Sequence, residues 1–76
     1  MYIILVYDIS IKDKGQKRWR RTFKICKQYL NHIQNSAFEG EILESDLFIL
    51  EEKLKEEIND VYDSVIIFKS RNEKWL

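Results

Sequence analysis

Proline is absent from this 76-residue chain, glycine occurs twice, and cysteine and histidine occur once each. Each shortage closes off a class of chemistry. With only Gly15 and Gly40, there is no glycine loop of the Walker or Rossmann kind to cradle a nucleotide phosphate. The lone Cys26 cannot pair within the chain, and one thiol with one imidazole falls short of the roughly four ligands of a structural zinc site. Serine-triad signatures are also missing. The longest apolar run, Tyr2 to Tyr7, is far below the roughly 18 residues of a membrane span, and no basic segment precedes it. A protein of the reducing cytoplasm with no membrane partner is expected.

What is present describes a folded globule. Hydrophobic residues make up 45% and charged residues 34%, too much apolar content for a disordered chain. The length allows a single domain, 1–76. A chain this short hides only about 60% of the surface its unfolded form exposes, so association into a dimer is the physical expectation. The net charge of zero conceals an asymmetry. Residues 1–38 carry Lys12, Lys14, Lys17, Arg18, Arg20, Arg21, Lys24 and Lys27 against Asp8 and Asp13, a net +6, which leaves −6 for the remainder. A basic half on a neutral chain fits a phosphate-bearing partner, with the acidic half limiting indiscriminate binding.

Tyr2 to Asp8 is nearly all apolar and rich in β-branched and aromatic residues, which predicts a central strand covered on both faces. A loop follows over Ile9 to Gln16, with Gly15 beside a helix start. From Lys17 to about Asn31, Trp19, Phe23, Cys26 and Leu30 recur at helical spacing, widened by Ile25 and Tyr29, while Arg20, Lys24 and Lys27, with Lys17 and Arg21 behind them, fall on the far side. His32 to Ile42 alternates like a hairpin broken at Asn35-Ser36, where asparagine tolerates positive φ. Ser45 is a candidate N-cap for a second helix built on Leu47, Leu50, Leu54 and Ile58. Asp60 to Asp63 turns the chain into a covered strand over Ser64 to Ser70; the tail from Arg71 to Leu76 is ambiguous. The order β-α-β-β-α-β is that of an α+β, ferredoxin-like fold, with an antiparallel sheet and two helices on one face. Since many functions share that fold, function must come from sites.

Three blocks then stand out in order and spacing: YDIS at 7–10, KRWRR at 17–21 and IQNSAFEGEI at 33–42, with DSVIIF at 63–68 after them. Together they resemble the CRISPR-associated protein 2 family over most of the chain. The resemblance implies a two-fold homodimer that works with the CRISPR integrase subunit in capturing spacers, a scaffold on which double-stranded DNA is measured. It further implies, for some members, a metal-dependent nuclease acting on RNA or DNA. The family aspartate closing the first strand maps onto Asp8, which would bind Mg²⁺ with one copy from each chain. The family's basic residues correspond most closely to Arg18, Arg20 and Arg21, and Phe38 matches within FEGE. Family members often add a C-terminal strand that pairs with the other subunit; here only RNEKWL remains for it.

Read from the residues alone, each candidate has a plainer rival. Asp8, closing an apolar strand, either satisfies loop N–H groups or binds a metal, which for magnesium needs only one or two carboxylates. Arg18 or Arg20 would stabilise charge developing on a phosphate, and Lys17, Arg18, Arg20, Arg21, Lys24 and Lys27 would track a nucleic-acid backbone; alternatively they only solvate the helix. No counter-carboxylate is evident among them. Cys26 and Trp19 read as core, and His32 as structural or solvated. Phe48 and Ile49, outside the helix stripe, pack either at an interface or partly in the core. Glu51, Glu52, Glu56 and Glu57 form a solvated face or meet a basic partner such as the integrase. Competing functions are a stand-alone toxin-type ribonuclease of related fold and an RRM-like RNA module, although no RNP1-like run is present.

Overall fold

Successive side chains of a strand point to opposite faces, and in the first strand this alternation sets the layering of the molecule. The computed structural model describes residues 1–70, so the ambiguous tail and any swapped strand within it lie outside the described residues. The elements are β1 (Tyr2–Asp8), α1 (Gly15–Tyr29), β2 (Asn31–Gln34), β3 (Ala37–Glu41), α2 (Glu44–Glu57) and β4 (Ser64–Ser70). The strands pair antiparallel in the order β2-β3-β1-β4, a ferredoxin-like sheet with β1 central.

Ile3, Leu5 and Tyr7 of β1 are buried beneath the helices with Phe38, Ile42, Leu47, Leu50 and Leu54. The intervening residues point the other way. Val6, Ile66 and Phe68 are among the exposed hydrophobics, so the expectation that β1 and β4 are covered on both faces does not hold within one chain. Both helices lie on one face, and among the described residues the opposite face has no layer of its own.

Gly15 opens α1 two residues earlier than the apolar periodicity indicates. A Cβ there would collide with the Ser10 carbonyl oxygen, so the loop folds back on the helix start only because glycine is present. Asp13 and Lys14 turn the chain with φ of 52° and 62°. The buried line of α1 is Gly15, Arg18, Thr22 and Cys26. Trp19 and Phe23 flank it against Tyr7 and Phe38, and Tyr29 flanks it towards Lys53 of α2. The predicted stripe of Trp19, Phe23 and Cys26 therefore runs off-centre. An apolar periodicity cannot register a buried arginine and threonine.

The hairpin turns at Asn35, with φ of 45°, joining β2 to β3 as expected. Ser45 does not cap α2: Leu43 holds that position without a side-chain hydrogen bond, while Glu44 and Asp46 lie in the first turn and favour the helix dipole. Lys53 ties the helices together, donating to Gln28 Oε1 at 3.2 Å and standing 5.1 Å from the Tyr29 ring centroid. No helix among the described residues is long and apolar enough to cross a membrane.

Candidate nucleic-acid interface and carboxylate site

Asp8 ends β1 opposite Ser64 of β4, on the face turned away from the helices. Its side chain is exposed and has no hydrogen-bond or ion-pair partner among the described residues. The loop-bracing task that would explain Asp8 structurally belongs to a different residue. Asp63 accepts the Ser10 N–H at 3.0 Å through Oδ1 and the Asn59 N–H at 2.8 Å through Oδ2. It also takes the Arg18 Nε–H at 2.8 Å and an Arg18 Nη2–H at 3.2 Å. Burial alone would raise the Asp63 carboxyl, but the bonds from Arg18 and the two backbone amides outweigh it and hold the group below its ordinary value.

Arg18 needs a correction. Expected on the basic face, it is buried, and besides Asp63 it donates to the backbone carbonyls of Ser10, Lys12 and Asp13. The Asp63 bond, which exceeds the opposing cost of burial, holds the guanidinium further up than usual. Most of its donors are spent on Asp63 and on the loop that follows Asp8, which holds it inside the fold and away from the basic face. The signal was beyond sequence pattern, since Arg18 and Asp63 are 45 residues apart.

Lys17, Arg20, Arg21, Lys24 and Lys27 are exposed along α1, as expected. The absence of counter-carboxylates is also corrected. The helices pack side by side, and Arg21 Nη1 stands 3.4 Å from Glu57 Oε1, an exposed pair of small energetic weight. Glu56 and Glu57 share a surface depression with Lys17 and Arg21, so the acidic half borders the basic track instead of lying apart from it. Arg20, Lys24 and Lys27 make no ion pair among the described residues.

The remaining candidates resolve structurally. Cys26 is fully buried and burial pushes its thiol up to about 12, which removes it as a nucleophile near neutrality. Trp19 stacks on Phe23 at 5.5 Å and meets the edge of Tyr7. His32 packs on Phe23 and Phe38, its Nε2 2.8 Å from the Asn35 carbonyl oxygen. Phe48 and Ile49 are exposed. Among the described residues no three acids, histidines or cysteines gather as a metal cage, so a site at Asp8 would need a donor from elsewhere.

The arrangement has relatives. A family model described as CRISPR associated protein Cas2 matches residues 1–76. A protein named CRISPR-associated endoribonuclease Cas2 from Fusobacterium nucleatum is 55% identical over 76 residues, covering 100% of this chain and 72% of that protein. One of the same name from Methanosarcina acetivorans is 34% identical, with coverages of 100% and 82%. Among solved structures, Streptococcus pyogenes Cas2 superposes with a TM-score of 0.85 at 27% identity, over 92% of this chain and 86% of that one. A hypothetical protein from Thermus thermophilus, 20% identical with a TM-score of 0.82 and coverages of 99% and 87%, shares the fold.

Proposed function

The chain belongs to the CRISPR-associated protein Cas2 family, and from that premise we propose that it works as a two-fold homodimer binding nucleic acid, a scaffold for the integrase subunit in spacer acquisition, with a Mg²⁺-dependent phosphodiesterase site at Asp8. The observation that carries this reading is the uncovered face of the sheet. Ile4 stands opposite Phe68 and Val6 opposite Ile66, and Asp8 continues the same row at its end. A contiguous apolar face of this kind on so small a chain favours a partner of the same kind. Pairing two such faces about an axis that passes near the Asp8 ends of the first strands would cover the apolar rows and bring two Asp8 carboxylates into one neighbourhood.

Two carboxylates facing each other repel, and a cation offsets that repulsion. Their hard oxygen donors fit Mg²⁺, which takes one or two carboxylates and completes its shell with water and phosphate oxygens. When bound, the ion supplies charge neutralisation at a phosphate and a more acidic water. Asp8 has no competing partner among the described residues, which leaves it available as a ligand. Arg18 is committed to its loop and Arg20 stands on the outer surface of α1, across the sheet from Asp8, so neither serves the carboxylate of its own chain. The endoribonuclease name of the relatives supports cleavage of RNA. The scaffold reading rests on the free cations of α1, which twofold symmetry lengthens into a track for the backbone of double-stranded DNA, positioning it without reading bases.

Spacer integration with the cognate integrase separates the two parts. Wild type, Asp8→Ala and the double variant Arg20→Glu/Lys24→Glu are compared, alongside Mg²⁺-dependent RNA cleavage. The expected result is that only the charge-reversed dimer fails in integration, while Asp8→Ala loses cleavage. Normal integration by the charge-reversed protein would end the scaffold reading, and undiminished cleavage by purified Asp8→Ala would remove Asp8 from the chemistry.

A further inference from the structure

Two loops close the end of the sheet where Asp8 lies, and they carry side chains that no role above employs. Residues 9–14 follow Asp8, and residues 58–63 lead into Ser64, its cross-strand partner. Asp63 clasps the two loops through Ser10 and Arg18. Asn59 then shapes the second loop: its Oδ1 accepts the N–H of Val61 at 2.8 Å and that of Tyr62 at 3.3 Å, a side-chain-closed turn. Turn and clasp together fix the backbone from which Tyr62 projects.

That ring is 46% exposed, with Lys12 Nζ 5.8 Å from its centroid. Ile11 and Val61, on the same two loops, are also exposed. A lysine at that distance from an exposed ring holds it only weakly and yields easily to a better partner. The Tyr62 hydroxyl makes no hydrogen bond among the described residues, so the polar end of the ring is not engaged by the fold. An aromatic surface held by hydrogen-bonded backbone loses little freedom when a flat group stacks on it. The neighbouring ammonium selects a flat group that carries negative charge.

We infer that Tyr62 and Lys12 form a stacking platform for an unpaired base of a single-stranded nucleic acid, the ring taking the base and the ammonium its phosphate, beside Asp8. This rests on the nucleic-acid-binding reading given above and names the form of substrate at that end of the sheet. Bases within a duplex already stack on one another and cannot use the ring, so the platform discriminates for single strands or frayed ends. A strand anchored there lies at the same end of the sheet as the first-strand carboxylate.

The test measures affinity of the homodimer, in EDTA so that no cleavage intervenes, for a single-stranded oligonucleotide containing 2-aminopurine and for a duplex of the same length. Wild type is compared with Tyr62→Ala, Tyr62→Phe and Lys12→Ala. Tyr62→Ala is expected to weaken single-strand binding about tenfold and to abolish the stacking quench of 2-aminopurine, with duplex affinity little changed. Tyr62→Phe should restore both, and Lys12→Ala should weaken single-strand affinity while keeping the quench. Equal single-strand affinity and quench in Tyr62→Ala and wild type would overturn the platform. Wild type that binds duplex but no single strand would overturn the platform and leave the scaffold reading standing; failure to bind either would overturn both.

Discussion

Asp63 shows how one carboxylate can organise a site without belonging to it. It accepts from Ser10, Asn59 and Arg18, and so joins the loop after the first strand to the loop before the last. Asp63→Asn preserves the shape but removes the charge, leaving Arg18 among backbone carbonyls with no counter-ion beside it. A loss of about 10 °C or more in melting temperature at pH 7 is expected, since breaking a buried pair by removing one partner is costly in a domain of this size. The pH dependence follows from the sign of the shift. The folded carboxyl lies below its unfolded value, so the unfolded chain binds the proton more readily and acid favours unfolding. Its contribution is complete above the unfolded value, about pH 4, and disappears as the pH falls through the folded one. The melting-temperature gap between wild type and Asp63→Asn should therefore be constant from neutrality to about pH 5 and close on further acidification; a gap that persists at the acid end would show that shape, not charge, is at stake.

At the scale of the element, α1 is two surfaces on one cylinder. Its inner line includes a buried arginine that serves the loop, and its outer surface offers Lys17, Arg20, Lys24 and Lys27 to solvent. Arg21, paired with Glu57, stands at the border with α2. Cations that meet phosphates release counter-ions, so duplex affinity should fall linearly with the logarithm of salt concentration. In Arg20→Glu/Lys24→Glu the slope should become shallower by about one for each phosphate that the helix no longer engages. An unchanged slope would mean that the outer surface only solvates the helix. Phe48 and Ile49 on α2 are exposed to solvent in the single chain.

On the scale of the whole molecule, the bare face of the sheet sets the next prediction. Phe68→Glu, which places a charge within the apolar row and touches none of the buried core, should shift sedimentation of the proposed dimer to that of a monomer; a dimer of unaltered stability would place the association surface elsewhere. Much of this molecule was legible in the chain of letters. The element order, the hairpin turn at Asn35, the leucines of α2 and the outward cations of α1 all follow from local periodicity and turn chemistry, which act over a few residues. Other features were decided only when distant segments met. Arg18 left the basic surface because Asp63, 45 residues away, stood beneath it, and the first and last strands proved half bare because both helices chose the same side. Local pattern determines what each segment can become, whereas burial of a charge and the covering of a face depend on which segments are neighbours in space, and that is settled by the packing of the whole.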